Sequence, residues 1–151
     1  MNANQSIKEA GTVTMERSYN APKEKVWQAL TNVDNLRKWF FDVSAFEPKL
    51  GFKFEFSGDC GDDINEEHYV HYCEVTDLIE GEKLTYSWSY RDYEGMSYVT
   101  WQLFSQGEGT RVVLTHRGLD TFPKLANFTR DSFTGGWTYF MDEALKEFVE
   151  L

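Results

Sequence analysis

One change of hydrophobic period limits this chain more than any other feature. From Thr12 to Arg117 apolar residues recur mostly at every second position, with one early interruption. Near the end the spacing becomes three and four: Phe133, Trp137, Phe140, Met141, Ala144, Leu145 and Phe148. Alternation puts side chains on one face of a strand, whereas the longer period puts them on one stripe of a helix. The chain must therefore pair a multistranded sheet with one closing helix of about five turns over roughly residues 129–149. Asp142, Glu143, Lys146 and Glu147 mark that helix's polar face. Gly135 and Gly136 fall inside it, at a cost of about 1 kcal/mol each relative to alanine. Either they let the helix approach the sheet closely, or they bend it and leave a gap.

The alternating runs are Thr12 to Tyr19, Phe52 to Ser57, His68 to Leu78, Leu84 to Tyr90, Val99 to Leu103 and Arg111 to Arg117. Ala21-Pro22 breaks the first run. Pro22 opens a helix whose buried stripe is Val26, Trp27, Ala29 and Leu30. A second short helix covers Val33 to Lys38 and ends at Trp39-Phe40-Phe41. Gln106-Gly107-Glu108-Gly109 reads as a hairpin turn. Short links between the later runs favour an antiparallel meander. Residues 57–67 form an acidic loop. The expected class is α+β: a sheet with one apolar face, covered by the only helix large enough to do so. A strongly twisted sheet leaves space near the N-terminal half of that helix. Residues 1–10 read as a flexible tail and 11–151 as a single domain.

With 12 Phe, 8 Tyr and 5 Trp in 151 residues, the interior is unusually rich in rings. Large rings bury much area and leave irregular gaps, which suits a pocket as well as a core. The net charge of -10 argues against nucleic acid and against an anionic membrane surface. Its simplest meaning is solubility, with a basic protein partner as the other reading. No apolar run spans a bilayer, and Met1 to Glu9 lacks the apolar stretch of a signal peptide, so a cytoplasmic location is expected. Cys60 and Cys73 make no disulfide framework there.

Several stretches together carry a family resemblance. They are Ala21-Pro22-Lys23-Glu24-Lys25-Val26-Trp27-Gln28-Ala29-Leu30-Thr31, Lys38-Trp39-Phe40, Leu84-Thr85-Tyr86-Ser87-Trp88, Val99-Thr100-Trp101-Gln102-Leu103, Gly109 to Gly118, and Gly136-Trp137. In this order the chain resembles the bacterial homologues of the C-terminal domain of the activator of heat-shock protein 90 ATPase, within the START-like (SRPBCC) superfamily. Two departures are Leu50-Gly51-Phe52, where the family often has a double glycine, and a longer acidic loop. The resemblance implies a helix-grip fold, in which a curved antiparallel sheet wraps a long C-terminal helix, and an interior cavity for a small apolar ligand. It also implies chaperone association as an alternative. The eukaryotic activator matches only in its C-terminal half, without the N-terminal domain that drives the ATPase.

Strand parity puts Phe54, Tyr86, Trp88, Trp101 and His116 on one inner face. Trp39, and Phe133, Trp137 and Met141 from the helix, should meet them. These nine are the expected ligand-binding residues, and a filled core is the competing reading. Trp and Tyr also bring N–H and O–H groups able to orient a ligand. His116 is then a neutral group bonded to a ligand or to a protein partner. An inward Glu74 beside it would form an acid/base pair, the basis of a cyclase- or aromatase-type alternative, although a solvent-facing Glu74 suits its type better. Cys60, His68, His71 and Cys73 lack the paired spacing of zinc motifs, and His68 points away from His71 and Cys73 on a strand. Asp59, Asp62, Asp63, Glu66 and Glu67 match no calcium-binding loop. No nucleophile elbow, P-loop or dinucleotide fingerprint is present. The expected function is non-catalytic binding of a small hydrophobic or aromatic molecule, with no cofactor and no metal; a protein-interaction module and a cavity enzyme stay open as alternatives.

Overall fold

The computed structural model describes residues 11–58 and 69–150. The expected tail, most of the acidic loop, Cys60 and His68 lie outside the described residues. In chain order come β1 (Thr12–Tyr19), α1 (Lys23–Thr31), α2 (Val33–Trp39), β2 (Lys53–Gly58), β3 (Tyr69–Ile79), β4 (Lys83–Tyr90), β5 (Ser97–Gln106) and β6 (Gly109–Arg117). The C-terminal helix follows as α3 (Arg130–Tyr139), a π-helical segment (Phe140–Ala144) and α4 (Leu145–Val149).

The six strands form one antiparallel sheet in the order β1-β6-β5-β4-β3-β2. Strands β2 to β6 are the expected meander, and β1 closes against β6, with Val13 opposite His116. Helices α1 and α2 carry the chain from one edge strand to the other. Pro22 caps α1 with an extended backbone, and Val26, Trp27, Ala29 and Leu30 are buried, as the stripe required. The Asn32 side chain accepts the Asn35 N–H at the start of α2, which ends by burying Trp39. The architecture is the helix-grip fold: a curved sheet over one long helix. Among the described residues no helix is long and apolar enough to cross a membrane.

Of the two alternatives for the glycine pair, the close approach to the sheet does not occur. Helical hydrogen bonding runs through Gly135 and Gly136, and a Cβ built on either would meet nothing within 4 Å. Neither glycine serves a close approach to the sheet. The helix is irregular further on, at Phe140–Ala144, where a π turn inserts extra backbone. Tyr19 donates its hydroxyl to the Met141 carbonyl there at 2.7 Å and ties the turn to β1. Arg17, two residues before Tyr19 on the same strand, pairs with Asp142 at 2.5 Å.

Candidate functional site

All nine expected residues are buried on the inner side of the sheet or the helices facing it. Eight of them divide into two groups, and His116 stands apart. Trp39, Phe54, Tyr86, Trp101 and Met141 pack into solid core: Trp101 meets Trp39 edge-on at 6.2 Å, and Phe54 meets Tyr86 at 5.3 Å. Trp88, Phe133 and Trp137 instead line a cavity of about 80 Å³. His71 and Tyr90, both buried, extend its wall, and the half-buried Phe41 and Phe140 cover another side. The half-buried Asn127 and Ser132 complete the lining, and Gly136 is its one exposed residue among those described. His116 lies behind the wall, its ring 5.4 Å from Trp88 and 5.1 Å from Phe133.

The indole N–H groups of the four tryptophans in this set are spent within the protein. Trp39 donates to the Ala29 carbonyl at 2.7 Å, Trp88 to the Tyr90 hydroxyl at 2.8 Å and Trp101 to the Tyr86 hydroxyl at 3.0 Å. Trp137 donates to His116 Nδ1 at 3.0 Å. An indole can only donate, so Nδ1 is the unprotonated nitrogen and Nε2 carries the hydrogen. Nε2 lies 2.8 Å from Ser97 Oγ, and the serine passes its own hydrogen to the Trp88 carbonyl at 2.9 Å. This chain satisfies both ring nitrogens and holds the imidazole neutral. Burial pushes its pKa down to about 3, with the neighbouring His71 adding in the same direction. His116 is therefore bonded to protein partners, one of the two roles its position allowed.

His71 stands differently. Its ring stacks on Phe56 at 4.5 Å and meets Trp88 edge-on at 4.9 Å. Nδ1 lies 2.9 Å from the Tyr69 carbonyl oxygen, which can only accept, so Nδ1 carries the hydrogen. Among the described residues no side chain hydrogen-bonds Nε2, although the Phe56 carbonyl also lies near the ring. Burial lowers the pKa to about 4, against the opposing pull of the Tyr69 and Phe56 carbonyls. At neutral pH Nε2 is thus a buried lone pair on a residue of the cavity wall.

The acid/base pair is not assembled. Glu74 alternates with the buried Cys73 and Val75 and so occupies the other face of β3, in an open depression with Lys53, Glu55, Tyr72, Ser87 and Ser89. Strands β4 and β5 separate it from His116, a span of about 14 Å at about 4.8 Å per strand. His71 and Cys73 do share the inner face, as parity required, but no cluster of three metal-ligating side chains occurs among the described residues. Burial pushes the Cys73 thiol well up, which makes it unreactive.

Residues 20–150 match the family model described as activator of Hsp90 ATPase homolog 1-like protein. The chain belongs to this family. No curated protein matches it. Among solved structures it is similar to CV1439 from Chromobacterium violaceum, at 19% identity and a TM-score of 0.78, covering 93% of this chain and 98% of that one. MLL2253 from Mesorhizobium loti is 28% identical with a TM-score of 0.69, over 91% of this chain and 95% of that one. DynU16, a protein of the dynemicin biosynthetic locus, is 22% identical with a TM-score of 0.73, over 93% of this chain. The chain spans about half of DynU16, 47% of its length. At 19% and 22% identity the likeness is one of fold.

For this activator-homologue chain, parity reasoning found the buried face but not which part of it stays open. Tyr90 was within reach of the same reasoning, since it shares the parity of Tyr86 and Trp88, whereas His71 lies on a strand whose inner face the alternation left open. Phe41, Asn127 and Ser132 lie in loop or at a helix start, where no period marks a facing.

Proposed function

We propose that this activator-homologue protein binds a small apolar molecule in the cavity beside Gly136. The observation that carries the reading is the pairing of an aromatic wall (Trp88, Phe133, Trp137) with a rim glycine whose missing side chain faces free space. The cavity of about 80 Å³ suits a molecule of one ring, well below the roughly 300 Å³ and more of drug-sized pockets. Since a water needs about 10–15 Å³, it has room for about six water-sized groups. Apolar contact with the rings supplies affinity, and their spent N–H groups make few polar demands. The reading is of binding without chemistry: among the described residues no acid/base pair lines the cavity, and its histidine is neutral at physiological pH.

Titration calorimetry with toluene tests this reading directly. Wild-type protein should bind toluene, and Gly136→Leu, whose side chain would occupy the mouth, should bind it at least about tenfold more weakly while remaining folded. Failure of wild-type protein to bind any single-ring probe would end the proposal.

A further inference from the structure

Resting on that reading, one feature of the wall specifies the ligand further. An apolar cavity needs no hydrogen-bonding atom, and a buried polar atom without a partner costs about 1–3 kcal/mol. The wall nevertheless includes His71, a residue with only 2% of its surface exposed. Its tautomer is fixed by the Tyr69 carbonyl, which takes the Nδ1 hydrogen at 2.9 Å. The ring is held in place by Phe56 on its face and by Trp88 and Tyr90 at 4.9 and 4.7 Å. Its other nitrogen can therefore only accept. Three other polar groups near the wall are committed: the Trp88 N–H to the Tyr90 hydroxyl, the Trp137 N–H to His116, and the Asn127 amide N–H to the Tyr69 hydroxyl at 3.0 Å. Ser132 and Asn127 are half-buried lining residues, less enclosed than His71.

We propose that the bound molecule is a small ring carrying one hydrogen-bond donor of the phenol type, which His71 Nε2 receives. The ring lies against Trp88, Phe133 and Trp137, and the hydroxyl is the single polar point that fixes its orientation. A neutral donor is preferred over a cation or an anion, because among the described residues no charged side chain lines the cavity. The bond requires unprotonated His71, a state that its lowered pKa of about 4 secures throughout the physiological range.

Phenol and toluene have the same number of non-hydrogen atoms and differ only in the donor. Their affinities for wild-type protein and for His71→Phe, which keeps a ring and removes the acceptor, form a cycle. Phenol should weaken by about ten- to a hundredfold in the variant, while toluene changes by less than about threefold. In case His71→Phe does not fold, two-bond ¹H–¹⁵N spectra of wild-type protein give a second readout. Phenol should shift the His71 Nε2 resonance in the direction of a received hydrogen bond, and toluene should not. If toluene binds but phenol shows neither effect, water serves Nε2 equally well; the donor is then refuted while the apolar-cavity reading stands. If neither probe binds, both fall.

Discussion

Two buried histidines pack edge-on against the same tryptophan, His116 and His71 at 5.4 and 4.9 Å from Trp88. Their surroundings are opposite in kind. His116 joins a chain that runs from the Trp137 indole through its ring to Ser97 and the Trp88 carbonyl, so it pins the C-terminal helix to β5 and β6. His71 has one nitrogen anchored to its own strand, and the residue itself lines the wall of a cavity. Burial alone thus does not tell what a polar residue is for. The count of its satisfied atoms does: a complete set closes a core, and an incomplete one leaves chemistry for something else.

The largest expected effect breaks the comparison at its closed end. His116→Leu removes the acceptor of Trp137 and the donor to Ser97, which leaves buried polar groups unmade. We expect a loss of about 2–4 kcal/mol and a fall in Tm of about 6–12 °C. His71→Leu loses one hydrogen bond to a carbonyl of its own strand and should cost about 1 kcal/mol. Thermal unfolding of the two variants measures the contrast directly. Equal losses would show that the closed chain has no special part in stability.

Acid should act on both histidines in the same direction. Each has its folded pKa lowered, to about 4 for His71 and about 3 for His116, from an ordinary value near 6.5. Between about pH 6.5 and 4 the unfolded chain binds protons that the folded one refuses. Stability is therefore complete above pH 6.5 and declines as pH falls, by up to about 1.4 kcal/mol per pH unit for each histidine. Urea midpoints across that window should fall with acid more steeply in wild-type protein than in either His→Leu variant. A midpoint independent of pH from 7 to 5 would contradict the burial of both rings.

The same contrast explains how far the sequence could be read. Alternation in β4, β5 and β6 and the three-and-four spacing from Phe133 to Phe148 determine which faces meet, so the sheet, the closing helix and the buried nine were legible. Period says which side a residue faces, but not how tightly the rings opposite it fit. Tyr86 and Trp88 have the same parity, yet one is core and the other lines the cavity. What separates them is the position of Phe41, Phe140 and the loop carrying Asn127, which depends on chain geometry across distant segments. The π turn was equally hidden, because Phe140 to Ala144 reads as ordinary helix and the irregularity becomes visible only with Tyr19 on its carbonyl.

The smallest expected effect separates the two adjacent glycines. Both are exposed helical positions with nothing within 4 Å of a built Cβ, so alanine at either should stabilise the helix by up to about 1 kcal/mol. Only Gly136 borders the cavity. Gly135→Ala should therefore raise Tm by about 2–4 °C and leave toluene affinity unchanged. Gly136→Ala should raise Tm by a similar amount and weaken toluene about two- to threefold, since one methyl group occupies part of a mouth that is already narrow. Glycine at position 136 would then carry a stability cost that alanine could remove only by narrowing the entrance. Equal toluene affinities in the two alanine variants would place the entrance elsewhere, between Phe41 and Asn127, and leave Gly136 without a role in access.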